Sequence, residues 1–146
     1  MIPVFTKLKE LIATVPAIKW VDLDKGQIDH YEFRPALPFP SALLRINVTR
    51  TDDLGGGVQR CWLSCNVRLV FDYSGDTNNH VPASALTHSL EFFNITEAVF
   101  KAIHYKGNAE IGKFMRKGQT QEQRTDGLTV INLPFETIYT DKSAAV

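Results

Sequence analysis

The stretch that decides the fold is PFPSALLRINVTRTDDLGGGVQRCWLSCNVRLVFDY, from Pro38 to Tyr73. Apolar and polar residues alternate on both sides of its glycine-rich centre. One face is predicted to carry Ala42, Leu44, Ile46 and Val48 from the first strand and Cys61, Leu63, Cys65, Val67, Leu69 and Phe71 from the second. A period of two over this length is typical of half-buried strands. The pattern therefore predicts an antiparallel hairpin with one apolar and one polar face.

The same alternation restricts how the two strands pair. Residues that share a face must lie opposite each other, so paired residue numbers are expected to sum to an odd value. The most compact connection, residues 53–56, places Val48 opposite Cys61 and Leu44 opposite Cys65. In that register Arg45 lies diagonal to Trp62, close enough for a guanidinium–indole contact.

The residues before the hairpin predict a helix and a small strand pair. Residues 1–16 carry one apolar helical stripe, and Pro16 ends it. Residues 18–23 and 27–33 read as two short extended runs around an Asp-Lys-Gly turn, which predicts a small hairpin. Residues 34–41 contain three prolines and are predicted to be an extended connection into the long hairpin.

The residues after the hairpin predict a long helix and a last strand. One helix is expected over 85–104, ended by Gly107, although a capping box at Asn94 and Glu97 leaves a later start open. Residues 128–139 alternate again and predict the last strand. Pro134 lacks an N–H group, so this strand is expected to be at an edge, bulged, or paired only on its other side.

Together these elements predict an α+β fold with a mostly antiparallel sheet. The sheet is built on the long central hairpin and packed by an N-terminal helix and one longer helix. A length of 146 residues predicts a single domain over 1–146. Within it we expect residues 1–16 to form the helix, 74–84 to be a mobile loop, and 142–146 to be a frayed tail.

Charge and cysteine content restrict the environment and the partners. Lys+Arg and Asp+Glu are both 16, so a neutral chain has no global attraction to nucleic acid or an anionic membrane. Cys61 and Cys65 lie on one face of one strand, roughly 13 Å apart, and are predicted to stay reduced. The N-terminal segment does not resemble a signal peptide, and no apolar run reaches the ~20 residues of a membrane span. We expect a soluble protein made in the cytoplasm.

The sequence offers no catalytic constellation. Gly55 to Gly57 lead into a strand, whereas a phosphate loop leads into a helix N-terminus, so a hairpin tip is the better interpretation. The four histidines share no metal-ligand spacing, and Asp52–Asp53 is the one adjacent carboxylate pair. We predict no catalytic residue, no metal site and no cofactor.

The polar face of the hairpin has an unusual composition. It is expected to present Trp62 surrounded by Arg45, Arg60 and Arg68. Tryptophan and arginine together are typical of protein interfaces, which makes these four residues the candidate subunit or partner contact. The alternative is a helix packed over Trp62, with the arginine stems at its rim.

Four phrases of the chain resemble the tail terminator and tail-completion (neck) proteins of long-tailed phages, a family that prophages also encode. The phrases are LPFPSALLRI (37–46), LGGGVQRCWLSCNVRLVFDY (54–73), SLEFFNITEAVFKAI (89–103) and LPFETIYTD (133–141). The order of helix, strands, central hairpin, loop, helix and final strand is also similar to that family.

The resemblance implies a structural subunit, not an enzyme. Such proteins form a ring homo-oligomer, commonly a hexamer, that caps the tail tube, stops its growth and joins it to head–neck proteins. DNA would pass through the ring without sequence-specific binding, and the protein would reside in the virion tail or neck. Two other hypotheses stay open at the level of the sequence. One is a small ligand-binding or enzymatic α+β domain, and the other is an interaction module unrelated to phages.

Overall fold

The computed structural model describes all 146 residues and confirms the α+β class. Its helices are α1 (Ile2–Ala13), α2 (Ala83–Ser89) and α3 (Glu91–Ile103). Its strands are β1 (Trp20–Leu23), β2 (Ser41–Gly55), β3 (Val58–Phe71), β4 (Met115–Arg116), β5 (Thr120–Gln121) and β6 (Thr129–Asp141). The six strands form one sheet in the order β1-β2-β3-β6-β4, and β5 also pairs with β6. All pairings are antiparallel except that of β1 with β2.

The long hairpin forms as predicted, but its register differs by two residues. Leu44 lies opposite Val67 and Val48 lies opposite Leu63. From Ser41 to Val48, the half of the hairpin away from its tip, paired numbers still sum to an odd value. The apolar face of this half is therefore the predicted one. The connection is shorter than the expected 53–56, because Gly55 pairs with Val58 and leaves only two glycines at the tip.

A bulge changes the pairing in the outer half of the hairpin. The register shifts between Val48 and Arg50, so Arg50 lies opposite Trp62 and Asp52 opposite Arg60. These pairs have even sums, and the odd-sum prediction is wrong here. Thr49 is the inserted residue, and its hydroxyl donates a hydrogen bond to the Trp62 carbonyl at 3.1 Å. An inserted residue of this kind reverses the face of every residue beyond it.

The predicted small hairpin over 18–33 is wrong. Residues 20–23 do form a strand, β1, but it runs parallel to the start of β2, with Trp20 opposite Ser41 and Leu23 opposite Leu44. Residues 27–33 contain turns and bends and no strand. Since parallel neighbours need a crossover, residues 24–40 serve as the connection from β1 to β2.

The predicted long helix is divided. α2 ends at Ser89 and α3 begins at Glu91, so helix 85–104 is interrupted at Leu90. Asn94 is inside α3, where its amide donates to Glu91 at 3.1 Å, and it does not cap the helix. α3 ends at Ile103, four residues before Gly107, and Tyr105 takes up the positive φ of 66° after it.

Strand β6 shows how Pro134 is accommodated. β3 pairs along one edge of β6, while β4 and β5 pair along the other at residues 135–136 and 131–132. Pro134 falls in the gap between these two short strands, and its carbonyl accepts from the Lys117 amide at 2.8 Å. The N and C=O of one residue point to the same edge in an antiparallel strand. The missing N–H therefore faces the gap, and full pairing occurs only on the β3 side, as expected.

The main core lies on the predicted apolar face, where α1 and α3 pack against the sheet. Leu63, Val67 and Leu69 are fully buried there, which confirms the predicted core. α1 contributes residues at i, i+4 and i+8, and α3 contributes the same kind of stripe. The members from the helices are Val4, Leu8, Ile12, Phe92, Val99 and Ile103.

The opposite face, which we call the second face, is not uniformly polar as predicted. Near the start of β2 it carries a smaller buried cluster of Ile28, Leu43, Val70, Leu128 and Val130. The connection 24–40 and the segment before β6 cover this part of the sheet. No helix in the structure has the length and apolar character that crossing a membrane requires.

Candidate functional site

The second face is divided into two halves along β3. The half toward Phe71 is covered by loops and contains Arg68, and the half toward the hairpin tip contains Trp62 and is open. The four predicted contact residues are therefore not one group.

Arg68 is at the centre of an ion cluster under the loops. Its guanidinium donates to Asp29 at 2.6 and 2.8 Å and to Glu122 at 2.7 and 2.9 Å. Asp24 lies 3.7 Å away, and only 9% of the Arg68 side chain is exposed. These hydrogen bonds, chiefly the one with Asp29, raise the pKa of Arg68 above its ordinary value.

Arg124 extends the cluster toward Asp126 and Tyr31. It donates to Asp126 at 2.7 Å, to Glu122 at 3.0 Å and to the Ile28 carbonyl. The Tyr31 hydroxyl also donates to Asp126, at 2.7 Å. Hydrogen bonds from Arg124 lower the pKa of Asp126, and hydrogen bonds from Arg68 lower that of Glu122 to about 2.

The geometry of this cluster is suited to holding loops on the sheet. Asp29 is 39 residues and Glu122 is 54 residues from Arg68, so the arginine joins three distant parts of the chain. The lowered pKa values keep the carboxylates ionised at neutral pH, which makes them poor proton donors. Arg68 therefore holds the covering loops on the sheet within its own subunit. Its contact with another subunit or a partner stays a prediction.

Trp62 is half-buried on the open half of the second face. The arginine that stacks on it is Arg50, whose guanidinium carbon lies 4.3 Å from the ring centre. The contact predicted for Arg45 does not form, because the bulge and the register place Arg45 opposite Asn66. Arg45 instead lies 3.7 Å from Asp24 at the rim of the ion cluster, with 60% of its side chain exposed.

Trp62 belongs to an apolar surface that the sequence did not reveal. It lies opposite Ile138 of β6, and Met115 of β4 follows across the sheet; these two residues are 40% and 38% exposed. We call Trp62, Met115 and Ile138 the distal patch. Together with Lys113, Lys117 and Glu136 they line a shallow groove of about 230 Å³.

The distal patch is covered by no helix, since α1 and α3 pack against the opposite face. Arg60 is exposed beside it, opposite Asp52 on β2 and Thr140 on β6. Three predicted contact residues therefore lie at or near the open surface. Trp62 and Arg60 are in the half toward the hairpin tip, and Arg45 is near the boundary between the two halves of the second face. No local sequence pattern indicates the distal patch. Met115 and Ile138 are distant from Trp62 along the chain and come next to it only when β4 and β3 pair with β6.

The glycine segment forms the hairpin tip, as predicted. Gly56 and Gly57 have φ values of 61° and 77°, which a two-residue turn of the primed type requires. The C-terminal residues return to this tip, where the Val146 amide donates to the Gly56 carbonyl at 3.0 Å. A Cβ atom at Gly57 would lie only 1.9 Å from the Ala144 carbonyl oxygen.

The cysteines and histidines form no ligand site. Cys61 and Cys65 are buried on β3 as free thiols, and burial raises the pKa of Cys65 to about 12. No group of three or more His, Cys, Asp or Glu side chains has the arrangement that could hold a metal ion.

Comparison with known proteins assigns no family. No family model matches the chain, and no curated protein matches it. Among solved structures, the fold is similar to a chain from the virion of a native gene transfer agent (GTA) particle. That likeness has a TM-score of 0.44 at 10% sequence identity and covers 92% of this chain and 84% of the other. A likeness this distant assigns no function to the chain.

Proposed function

We propose that this chain is a non-enzymatic structural subunit of a phage or prophage tail or neck. Copies of it would form a closed ring, a hexamer by the resemblance described above, that terminates the tail tube and joins it to the head. The subunit would be made in the host cytoplasm and would reside in the virion. DNA would pass through the ring without sequence-specific binding.

The observation that carries the proposal is the distal patch. A tryptophan, a methionine and an isoleucine lie together on a sheet face that the subunit itself leaves open. Arg50 stacks on one face of the Trp62 ring, a contact that favours one orientation of the indole in the free subunit. Ordered aromatic side chains with arginine neighbours are characteristic of the energetic centre of protein interfaces.

The edge of β2 also supports an assembly role. β1 pairs only with Ser41 to Leu44, so β2 has no neighbour on that side from Arg45 to Gly55. An open strand edge offers unpaired N–H and C=O groups to another chain. The bulge at Thr49 and the charges of Arg45, Asp52 and Asp53 restrict which chain can pair there.

The chemistry of the ion cluster supports the non-enzymatic part of the proposal. One open cavity of the cluster, of about 430 Å³, is lined by Asp29, Tyr31, Arg124 and Asp126 with neighbouring polar residues. The carboxylates and guanidinium groups there are already bound to one another. Groups used in this way stabilise the subunit and leave no ionisable pair free for acid–base chemistry.

The experiment that tests the proposal compares assembly of the parent and Trp62→Ala by sedimentation across protein concentrations. We expect the parent to form a discrete oligomer and the variant to assemble about 30-fold more weakly, as for loss of an interface hot spot. Circular dichroism must show that the variant remains folded. Ile138→Ser tests the same surface, and Ile2→Ser, at an apolar residue of α1 that is 81% exposed, is the matched control.

The outcomes show whether Trp62 is needed for the fold of the monomer or for the contact between subunits. If Trp62→Ala unfolds the monomer but Ile138→Ser assembles like the parent, the distal patch is not an interface and the proposal loses its support. If both variants stay folded and assemble weakly while Ile2→Ser assembles normally, the distal patch joins subunits.

A further inference from the structure

Two consecutive segments of this neutral chain differ in charge. Residues 69–100 contain four carboxylates and no lysine or arginine, while residues 101–117 contain five lysines and arginines and one glutamate. α3 runs from the first segment to the second, beginning at Glu91 and ending at Ile103. The fold therefore places the acidic segment at the Phe71 end of the sheet and the basic segment at the hairpin end.

The acidic end is built around Tyr73. The end of β3 meets the start of α3 here, since the ring centres of Phe71 and Phe92 lie 5.9 Å apart, and this brings Asp72 and Glu91 to the same end. The pKa of Tyr73 is raised by burial and then by these two carboxylates. Asp76 belongs to the same end, because a Cβ atom on the adjacent Gly75 would lie 2.1 Å from the Ser89 hydroxyl oxygen, just before α3. Asp72, Asp76 and Glu91 make no ion pair within the chain, as the twelve ion pairs present involve other residues. Phe93 is 46% exposed and lines the same small cavity as Gly75 and Ser89, so it adds an apolar group at this end.

The basic end is built around the distal patch. Lys113 and Lys117 line the same groove as Trp62, and the Lys113 ammonium lies 3.5 Å from the ring centre of Tyr105. Lys106 lies nearby, since its carbonyl accepts from the Phe114 amide at 2.9 Å. Lys117 is 3.5 Å from the exposed Glu136, whereas Lys106 and Lys113 have no carboxylate partner.

The helix dipole of α3 does not account for this separation. A dipole favours acidic residues in the first turn and basic residues in the last, which fits Glu91 and Lys101. Asp72, Asp76 and Lys113 are outside the helix, in segments that its dipole does not select. These charges are unpaired within the subunit, which leaves them available to a partner of opposite charge.

We infer that the acidic end of one copy (Asp72, Asp76, Glu91 and Phe93) binds the basic end of the next copy (Lys106, Lys113, Lys117 and the distal patch). The two surfaces match in charge, and each has an aromatic residue, the exposed Phe93 on one and the half-buried Trp62 on the other. Trp62 and Asp72 are ten residues apart on and just after β3, or roughly 33 Å. Surfaces at opposite ends of a subunit bind head to tail, and such a contact closes into a ring when the rotation permits.

Charge also disfavours a two-fold contact through either end. Such a contact would bring like charges together, which is unfavourable at an interface. The occupant of the distal patch is accordingly a second copy of this chain in heterologous orientation. This inference rests on the proposed ring and adds the two surfaces that form it.

The test is a charge exchange between the two ends. Lys106→Glu/Lys113→Glu makes both ends acidic, and Asp72→Lys/Asp76→Lys makes both ends basic. At about 0.05 M salt, where exposed charges are weakly screened, we expect each double variant alone to assemble at least about tenfold more weakly than the parent. An equimolar mixture should recover assembly, because each variant then presents the end that the other needs. A hexamer permits this alternation because its number of subunits is even.

Lys9→Glu/Lys19→Glu is the matched control, with the same charge change on exposed lysines that have no carboxylate partner. Circular dichroism and thermal melting show whether each variant is folded. If the two double variants assemble like the parent, or if their mixture stays monomeric while the parent assembles, the inference is overturned and the proposed ring still stands. If the parent stays monomeric under all these conditions, both the inference and the proposed ring are contradicted.

Discussion

Glu122→Gln tests whether the ion cluster holds the loops on the sheet. Glu122 accepts hydrogen bonds from Arg68, Arg124 and Asn132, and its pKa falls from 4.5 to about 2. A displacement of this size corresponds to about 3 kcal/mol at most. Because 25% of the side chain is exposed, solvent screening reduces the expected contribution to about 1–2 kcal/mol.

The sign of the pH dependence follows from the direction of the displacement. A carboxyl whose pKa is lower in the folded state stabilises it above the ordinary pKa, and this contribution is lost as the pH falls toward the folded value. We therefore expect Glu122→Gln to lower the free energy of unfolding by about 1–2 kcal/mol near pH 7 and by much less near pH 2.5. Urea unfolding followed by circular dichroism at low protein concentration measures both values.

Glu32→Gln is the matched control, since Glu32 is exposed and forms no ion pair. Its effect should be small at both pH values. If Glu122→Gln lowers the free energy of unfolding equally near pH 7 and near pH 2.5, the charge of Glu122 does not stabilise the folded state and the expected role of the ion cluster is contradicted.

Three further changes test other parts of the structure. Leu69→Ala removes a fully buried side chain from the main core and should lower the free energy of unfolding by ~2–5 kcal/mol in urea denaturation; an unchanged midpoint would contradict the face assignment. Gly57→Ala adds a Cβ atom at a φ of 77° and against the Ala144 carbonyl, so it should cost about 1–3 kcal/mol and increase amide exchange of residues 142–146, and unchanged exchange would mean that the contact is unimportant. The Cys65 thiol, with its pKa raised to about 12, should not react with a disulfide reagent until urea unfolds the chain, and rapid labelling of the native protein would contradict its burial.

The alternation of residues predicted the core face but could not determine the register. A shift by two residues leaves every side chain on its face, so parity alone permits several pairings. The two-residue turn at Gly56 and Gly57 selects one of them. That turn could have been predicted, because Gly-Gly between alternating strands favours a tight primed turn.

The register error carried over to the candidate site. Regular pairing predicts Arg45 next to Trp62, whereas the bulge at Thr49 brings Arg50 onto the indole. Bulges have no strong sequence signal, since any residue can be the inserted one. The residue types on the polar face of the hairpin are sufficient to predict Trp62 as a contact residue. They do not predict Met115 and Ile138, because these two residues reach Trp62 only through strand pairing across the sheet.

The ion cluster was missed for a different physical reason. Arg68 bonds to Asp29 and Glu122, and no local pattern connects residues so far apart along the chain. One signal was present in the sequence. Arg68 is next to Val70 on the second face, and Leu43 pairs with Arg68, so this part of the face already contained apolar residues. An arginine in such a setting indicates a buried ion pair under a cover, not a solvated surface.

The most direct test of the central claim is the mass of the parent protein measured by light scattering and native mass spectrometry over a wide range of concentrations. We expect a single closed oligomer, six subunits by the resemblance, that should appear in negative-stain images as a ring with a central opening. A closed ring has a fixed number of subunits, because a heterologous contact that closes leaves no free surface. A protein that stays monomeric at millimolar concentration, or grows without a fixed number, would contradict the account.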